Sequence, residues 1–262
     1  MNPAYWHRQT FAKPLFPDVE WQRPEQKSLA GNLLILGGNT HGFAAVAQAY
    51  ADAKKAGIGE CRAVLPDALK KNIDPSTLDC VFVPTNPSGG ITKDALPALK
   101  AATAWASGLL LIGDAGRNSE TAIVYEQLLA DFPDKPTIIT RDAVDLLKSA
   151  WPQLLQRPQT VLVATFAQVQ KIFQSVYYPK TILFSMQLTT LVETLHKFTI
   201  TYPATIVTFH QEQLLVATGG EVSTTPWDDP LRIWRGSVAT AASVYALQHA
   251  QLFEAITASI VK

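Results

Sequence analysis

The pair Gly236-Ser237 stands at the start of the last helix-forming stretch of the chain, WRGSVATAASVYALQ at 234 to 248. A glycine turn that leads into a helix presents free backbone N–H groups and the positive end of the helix dipole, and together these bind phosphate. A serine hydroxyl is not a general base near neutral pH unless another group accepts its proton, whereas a carboxylate is one. The sequence therefore predicts a phosphate-binding turn without a catalytic base at Ser237.

The elements that must position this turn alternate between apolar strands and helices. NLLILGG at 32 to 38 and GECRAVLP at 59 to 66 are typical of strands, with a helix from 43 to 56 between them. Short connections between alternating strands and helices indicate a mainly parallel sheet with helices on both faces. We expect an α/β fold, a three-layer α/β/α sandwich, with an antiparallel hairpin of 204 to 210 and 213 to 218 at one edge of its sheet.

Ligands of an open parallel sheet bind beyond the carboxyl ends of its strands. Four loops are predicted there, at 37 to 43, 112 to 119, 140 to 145 and 235 to 237. The first lacks the spacing G-x-G-x-x-G of a dinucleotide-binding turn, and the chain has no Walker A sequence. We expect these loops to bound a ligand cleft of another kind.

Composition excludes several classes of protein. The 262 residues carry a formal charge of +0, which gives no electrostatic footprint for nucleic acid or an anionic membrane. No window reaches the roughly 18 apolar residues of a membrane span. The first residues lack the apolar run of a signal peptide, and only two cysteines are present, Cys61 and Cys80, so we expect a cytoplasmic protein.

Residues 1 to 26 differ from the rest of the chain. Aromatic residues alternate there with prolines: Tyr5, Trp6, Phe11, Phe16 and Trp21 with Pro3, Pro14, Pro17 and Pro24. Each aromatic side chain gains about 1.5–3 kcal/mol when it is fully buried. We expect an extended N-terminal arm, 1 to 26, that packs on the domain formed by 27 to 262 or on a neighbouring subunit.

The order of several motifs resembles one known family. KSLAGNLLILGGNTHGFAA at 27 to 45, followed by Gly57-Ile58-Gly59, resembles the opening of the ADP- or ATP-dependent NAD(P)H-hydrate dehydratases, roughly H-K-G-x-x-G-x-x-L-x-x-G-G-S, then G-A-A and G-x-G. The segment 113 to 117, GDAGR, resembles a shortened G-P-G-L-G-R, and 141 to 145, RDAVD, resembles D-A-D-A-L-N. LVATFAQVQKI at 162 to 172 takes the place of L-T-P-H-P-G-E-F-A-R-L, and Gly236-Ser237 that of the final G-T-G-D. The resemblance covers 27 to 262 and implies a ribokinase-like fold.

The departures from this family fall on reactive groups. Its motif histidine corresponds to Thr165, its glutamate to Gln168, its nucleotide-contacting K-G to Phe209-His210 and its catalytic aspartate to Ser237. In the family, as the resemblance implies, the nucleotide phosphorylates the hydroxyl of hydrated NAD(P)H, and loss of the phosphate restores the nicotinamide. Removal of a positioned base lowers such a rate by about 10²- to 10⁴-fold.

Carried over residue by residue, the resemblance implies a substrate site at Ala45, Gly116 and Asp142 and a nucleotide site at Gly236 and His210. Each has a simpler alternative. Ala45 could serve only helix packing, Gly116 only a positive φ in a turn, and Asp142 only a helix cap. No residue is assigned as a metal ligand.

Two further groups fall in or near the same loops. His41 lies in the first loop, with a solvated side chain as the alternative to a ligand contact. Asp228-Asp229 precedes Gly236 and could replace the missing base, with a simple turn as the alternative.

The resemblance implies ADP or ATP, with Mg²⁺, as cofactor, NAD(P)H or its hydrate as ligand, and a homo-oligomer. The first hypothesis is a diverged, ribokinase-like NAD(P)H-hydrate dehydratase, a lyase with weak or lost catalysis. The second is a non-catalytic nucleotide-binding sensor or assembly protein. A sugar or vitamin kinase of the same superfamily is the weakest, since those enzymes also need the aspartate that Ser237 replaces.

Overall fold

The computed structural model describes residues 3 to 74 and 76 to 262, which form one mixed sheet with helices on both faces. The strands are β1 (Trp6–Arg8), β2 (Asn32–Gly37), β3 (Glu60–Pro66), β4 (Cys80–Val83), β5 (Gly108–Gly113), β6 (Thr137–Thr140), β7 (Thr160–Val163), β8 (Thr205–His210), β9 (Gln213–Thr218) and β10 (Glu221–Pro226). The helices are α1 (Asp18–Trp21), α2 (Ala44–Lys55), α3 (Leu96–Trp105), α4 (Ser119–Asp131), α5 (Asp142–Leu146), α6 (Trp151–Leu154), α7 (Phe166–Ser175), α8 (Leu188–Thr201), α9 (Leu231–Arg235), α10 (Ser237–Gln248) and α11 (Leu252–Ile260).

The strand order across the sheet is β1-β10-β9-β8-β7-β6-β5-β2-β3-β4. Among the described strands only β9 runs against the others, since it pairs antiparallel with both β8 and β10. The chain first moves outward from β2 to β4 and then returns to the other side of β2 with β5. The order therefore reverses between β2 and β5, which is where open α/β sheets form a ligand crevice.

The core lies on both faces of the sheet because successive side chains of a strand point to opposite sides. In β2, Leu34 and Leu36 pack against the layer of α3 to α8, whereas Leu33 and Ile35 pack against α2, α10 and α11. All four side chains are fully buried. A parallel strand covered on both faces must be apolar at every position, which explains the unbroken run LLIL.

The predicted three-layer α/β/α sandwich with a mainly parallel sheet is confirmed. The hairpin is also confirmed as β8 and β9, but its placement at the edge was wrong, because β10 and β1 extend the sheet beyond it. The strand β10, EVSTTP, has no apolar pattern because its buried hydroxyls pair with distant partners. Thr224 accepts a hydrogen bond from the indole of Trp6, and Ser223 bonds Thr257.

The stretch 234 to 248 is not the last to form a helix, because α11 follows it. Gly236 adopts φ 90° and separates α9 from α10, as expected for a glycine turn before a helix. This break turns the first N–H groups of α10 toward the end of the sheet.

Residues 3 to 26 contain two short elements. The strand β1 pairs parallel with β10 from Trp6 to Arg8, and Trp6 is only 7% exposed. Trp21, at the end of α1, is 84% exposed. Residues 1 and 2 of the predicted arm lie outside the described residues.

Within the described part of the chain, no helix combines the length and the apolarity needed to cross a lipid bilayer. Cys61 and Cys80 are free thiols, and burial raises the pKa of both to about 12.

Candidate functional site

The carboxyl ends of β2, β5 and β6 and the start of α10 meet in one place. The N–H of Gly38 donates to the carbonyl of Gly113 at 2.8 Å across the reversal of strand order. The guanidinium of Arg141 bridges to the carbonyl of Trp234 at 2.6 Å. The four loops predicted to surround a cleft are thus in direct contact with one another.

Asp114 connects three of these loops. Its backbone has a positive φ of 56°, and one carboxylate oxygen accepts the N–H of Ala45 at 3.0 Å, in the first turn of α2. The other oxygen pairs with Arg141 at 2.5 Å. Its own N–H donates to Asp142 at 2.8 Å, and its carbonyl accepts from the amide of Asn39 at 2.7 Å. An internal carboxylate therefore already occupies the start of α2.

Arg141 joins Asp114 to the start of α10. Its backbone lies at φ 56° and ψ −137°, a conformation that costs roughly 1–3 kcal/mol in a residue other than glycine. One guanidinium nitrogen binds the carboxylate of Asp114 and another binds the carbonyl of Trp234. Its Nε is buried and has no hydrogen-bond partner among the described residues. A positive charge is thus held at the mouth of the cleft.

Gln168 holds the backbone of Arg141 in place through a hydrogen bond. The side-chain amide nitrogen of Gln168 donates to the carbonyl of Arg141 and to a carboxylate oxygen of Asp145, both at 2.8 Å. Its side-chain oxygen accepts the N–H of Thr165 at 3.0 Å and completes a capping box at the start of α7. This amide is only 9% exposed, and it acts both as a donor through its nitrogen and as an acceptor through its oxygen, a combination that a carboxylate cannot provide.

Asp145 is an ionised member of the same cluster. Burial pushes the pKa of Asp145 upward, but hydrogen bonds from Lys171 and Gln168, together with the charge of Lys171, outweigh burial and lower this pKa from its ordinary value. Lys171 contacts the other oxygen of Asp145 at 2.8 Å. The charges of this pair therefore largely cancel at neutral pH.

The start of α10 is not capped. Gly236 adopts φ 90°, a backbone conformation that glycine reaches without the strain that a Cβ would add. The first helical bond runs from the N–H of Thr240 to the carbonyl of Gly236, at 2.9 Å. The N–H groups of residues 237 to 239 precede that bond, and no side chain caps them. They form a ready anion-binding turn beside the charge of Arg141.

A cavity of about 520 Å³ opens next to this turn, within the size range of small-molecule sites. Its walls come from the end of β6, the first two turns of α7 and the end of α9, and they include Arg141, Asp142, Thr165, Lys171 and Trp234. The cavity combines charged groups of both signs with an aromatic ring. Among the residues that the structure describes, no group of three or more His, Cys, Asp or Glu side chains forms a metal cluster.

Known structures resemble this architecture over nearly the whole chain. A ribokinase-like superfamily protein from Enterococcus faecalis superimposes with a TM-score of 0.75 at 14% identity, covering 100% of this chain and 87% of that one. The fold is ribokinase-like. An ADP/ATP-dependent NAD(P)H-hydrate dehydratase from Bacillus subtilis, co-crystallised with ATP and Mg²⁺, gives 0.63 at 13% identity over 90% of this chain and 79% of that one. A hydroxyethylthiazole kinase from Pyrococcus horikoshii gives 0.57 at 11% identity, over 94% and 80%.

No family model matches the sequence, and no curated protein matches it. At identities this low the likeness to solved structures establishes the ribokinase-like fold alone.

Of the sequence-predicted site residues, only Asp142 is among the walls of the cavity. Gly236 and the half-buried Ser237 follow its wall residue Trp234 in the chain. Gly116, at φ 75°, lies beside the amide of Asn39. Ala45 is 6% exposed and its N–H is already bonded to a carboxylate.

His210 lies apart from the cavity walls. Its side chain is 2% exposed, its Nε2 hydrogen-bonds the carbonyl of Met186 at 2.8 Å, and its ring stacks on Phe166 with centroids 4.7 Å apart. Its Nδ1 is buried and has no partner in the described chain. A nucleotide contact by this side chain would require it to leave that stack.

The remaining candidate groups take local roles. The backbone of His41 donates to Asn39 at 2.7 Å while its ring faces solvent. The carboxylate of Asp229 caps Leu231 at 3.1 Å, and Asp228 is exposed. Neither aspartate lines the cavity.

Sequence reasoning did not select Asp114, Arg141 or Trp234 as individual site residues. The signal for the first two was their position directly after β5 and β6, which places two opposite charges side by side once those strands are neighbours.

Proposed function

We propose that this protein is a diverged NAD(P)H-hydrate dehydratase-like protein that binds ADP or ATP and a nicotinamide nucleotide, NAD(P)H or its hydrate, with weak or lost catalysis. The uncapped start of α10 beside the cavity carries this proposal. Backbone N–H groups bind a phosphate whatever the side chain at Ser237. The ribokinase-like fold and a neighbour co-crystallised with ATP and Mg²⁺ support a nucleotide as the ligand.

The roles within the site follow from its charges. The N–H groups of residues 237 to 239 and the guanidinium of Arg141 would hold the terminal phosphate of the nucleotide. Asp142 offers one carboxylate oxygen to Asp114 and makes no ion pair among the described residues, so its other oxygen fits a ribose hydroxyl or the hydration shell of a Mg²⁺ ion. Mg²⁺ would screen the phosphate charges when it is bound.

Chemistry is weak in this proposal because no carboxylate stands at position 237. Deprotonation of the substrate hydroxyl needs a carboxylate at the position of Ser237, and its absence lowers the rate by about 10²- to 10⁴-fold. Asp114 is held in an ion pair with Arg141, and Asp145 in one with Lys171. Burial raises the pKa of Asp145, but hydrogen bonds from Lys171 and Gln168 and the charge of Lys171 lower it overall, so this carboxylate is a poor proton acceptor.

Calorimetry tests the proposed nucleotide binding, and turnover assays test separately the proposed weakness of catalysis. Titration with ADP, ATP, NADH and NADPH should reveal binding, and Ser237→Asp should raise the dehydration of hydrated NAD(P)H at nearly constant nucleotide affinity. Ser237→Ala is the matched control and should leave turnover at the wild-type level. The absence of binding by any of these ligands at millimolar concentration would refute the proposal, as would wild-type turnover equal to that of aspartate-bearing relatives.

A second candidate function is a non-catalytic nucleotide sensor or assembly protein. The serine at position 237 favours it, since the turn then offers N–H groups that bind a phosphate but no carboxylate that accepts a proton. In this case Ser237→Asp changes no turnover while nucleotide binding persists. We also propose a homo-oligomer, which light scattering on the full chain would test.

A further inference from the structure

Trp234 is an exposed aromatic residue at the rim of the cavity. It is 63% exposed, whereas Trp151 and Trp227 are 3% and 4% exposed. It lines the cavity and stands two residues before the uncapped turn at Gly236. An indole left in water forgoes burial free energy of about 1.5–3 kcal/mol, part of which a ligand stacked on the ring would recover.

The backbone of Trp234 is fixed by the cleft itself. Its carbonyl accepts the hydrogen bond from Arg141 at 2.6 Å, and Arg141 is in turn held by Asp114 and by Gln168. The indole therefore extends from a stretch of backbone, near the end of α9, that these hydrogen bonds hold in place. Tryptophan loses little rotamer entropy on binding and presents a large flat face.

The surroundings of the ring set the class of ligand. The uncapped N–H groups of residues 237 to 239 follow Trp234 in the chain, and Arg141 hydrogen-bonds the carbonyl of Trp234; these groups suit a phosphate. The cavity that Trp234 lines has room for a compact organic group. A ligand that reaches both has an anionic end and, a few ångströms away, a planar ring.

We propose that Trp234 is the stacking platform for the heteroaromatic ring of a nucleotide whose phosphate lies at the start of α10. This role deepens the proposed function and rests on it. Adenine and nicotinamide both present the required flat π-face, and stacking on an aromatic side chain tolerates either ring. Trp234 thus supplies affinity for the base and Arg141 supplies affinity for the phosphate.

Other exposed aromatic residues lack these surroundings. Phe184 is 76% exposed but packs edge-on against Phe166 and His210, outside the cavity wall. Trp21 is 84% exposed on the short helix α1, also outside that wall.

The experiment compares ligands with and without a ring. Calorimetric titrations of the full chain use ADP, nicotinamide mononucleotide and inorganic pyrophosphate, with wild type, Trp234→Ala, Trp234→Phe and the control Trp21→Ala. Trp234→Ala should weaken the nucleotide that stacks by about 10- to 100-fold and leave pyrophosphate affinity unchanged. Trp234→Phe should recover most of the loss, and Trp21→Ala should match wild type.

The outcomes separate this inference from the proposed function. If Trp234→Ala weakens ADP alone, the ring is adenine, and if it weakens the mononucleotide alone, the ring is nicotinamide. Affinities for both ADP and the mononucleotide that are unaffected in Trp234→Ala, or a loss that pyrophosphate shares equally, overturn the stacking role but leave nucleotide binding intact. A wild-type protein that binds none of these ligands overturns both.

Discussion

Replacing Gln168 by glutamate, the residue of the family motif, should damage this site rather than restore it. In wild type the amide nitrogen of Gln168 donates to Asp145 and to the carbonyl of Arg141, both at 2.8 Å. In Gln168→Glu an oxygen takes the place of that nitrogen and faces two acceptors at the same distances. Two hydrogen bonds are lost and replaced by contacts between lone pairs.

The size of the effect follows from these contacts. An unmade hydrogen bond at a buried group costs about 1–3 kcal/mol. The carboxylate of Asp145 is 46% exposed and can turn toward water, so most of the loss falls on the carbonyl of Arg141. We expect Gln168→Glu to lower the free energy of unfolding by about 2–3 kcal/mol at neutral pH, or about 4–10 °C in Tm.

The loss of stability in Gln168→Glu should grow as the pH rises. Burial and the neighbouring charge of Asp145 raise the pKa of the new carboxyl above its value of about 4.3 in the unfolded chain. The protonated form can donate one of the two lost hydrogen bonds, so the variant is closest to wild type below pH ~4.3. Its stability then falls relative to wild type as the pH rises through the raised pKa.

Urea unfolding at several pH values between about 4 and 8 measures this, with Gln168→Met as the matched control. The methionine variant loses the same hydrogen bonds without gaining a titratable group. Its deficit should shrink only at the acid end, where Asp145 takes up a proton, and should stay constant above pH ~5. The difference between the two variants should widen toward high pH. A constant difference, or a glutamate variant as stable as wild type at pH ~8, would refute the assigned contacts of the amide.

Two further predictions concern stability. Gly236→Ala should lower the free energy of unfolding by roughly 1–3 kcal/mol because of the positive φ, measured by urea unfolding; an unchanged unfolding midpoint would contradict the geometry of the turn. Trp6→Ala should lower the free energy of unfolding by about 3–5 kcal/mol, whereas Trp21→Ala should change it by less than about 0.5 kcal/mol. Equal effects of the two would show that the first strand does not pack as described.

The central strands of the sheet could be predicted from the sequence, whereas the strands β1 and β10 at one edge could not. Continuous apolar runs such as LLIL in β2 have one explanation, burial on both faces. The strands β1 and β10 carry no such run, because β1 has three residues and the hydroxyls of β10 are buried only by virtue of partners elsewhere in the chain. Local pattern cannot reveal a strand whose burial depends on remote hydrogen bonds.

The site was predictable where a single residue type forces the backbone. Gly236 could be identified as a turn at a helix start, because glycine adopts the required positive φ. The bridge from Asp114 through Arg141 to the carbonyl of Trp234 could not, since it depends on β5 and β6 being neighbours and on the break between α9 and α10.

The pairing of β1 with β10 joins two segments that are made far apart in time. The indole of Trp6 bonds Thr224, 218 positions later in the chain. At about 5–20 residues per second, a ribosome needs roughly 10–40 s to reach that partner. During that interval β2 to β8 can assemble in order while the first strand waits with an uncovered tryptophan. The strand that is translated first is therefore among the last to join the sheet, and a chain that stops before β10 keeps an open edge and an exposed indole, two features that promote aggregation.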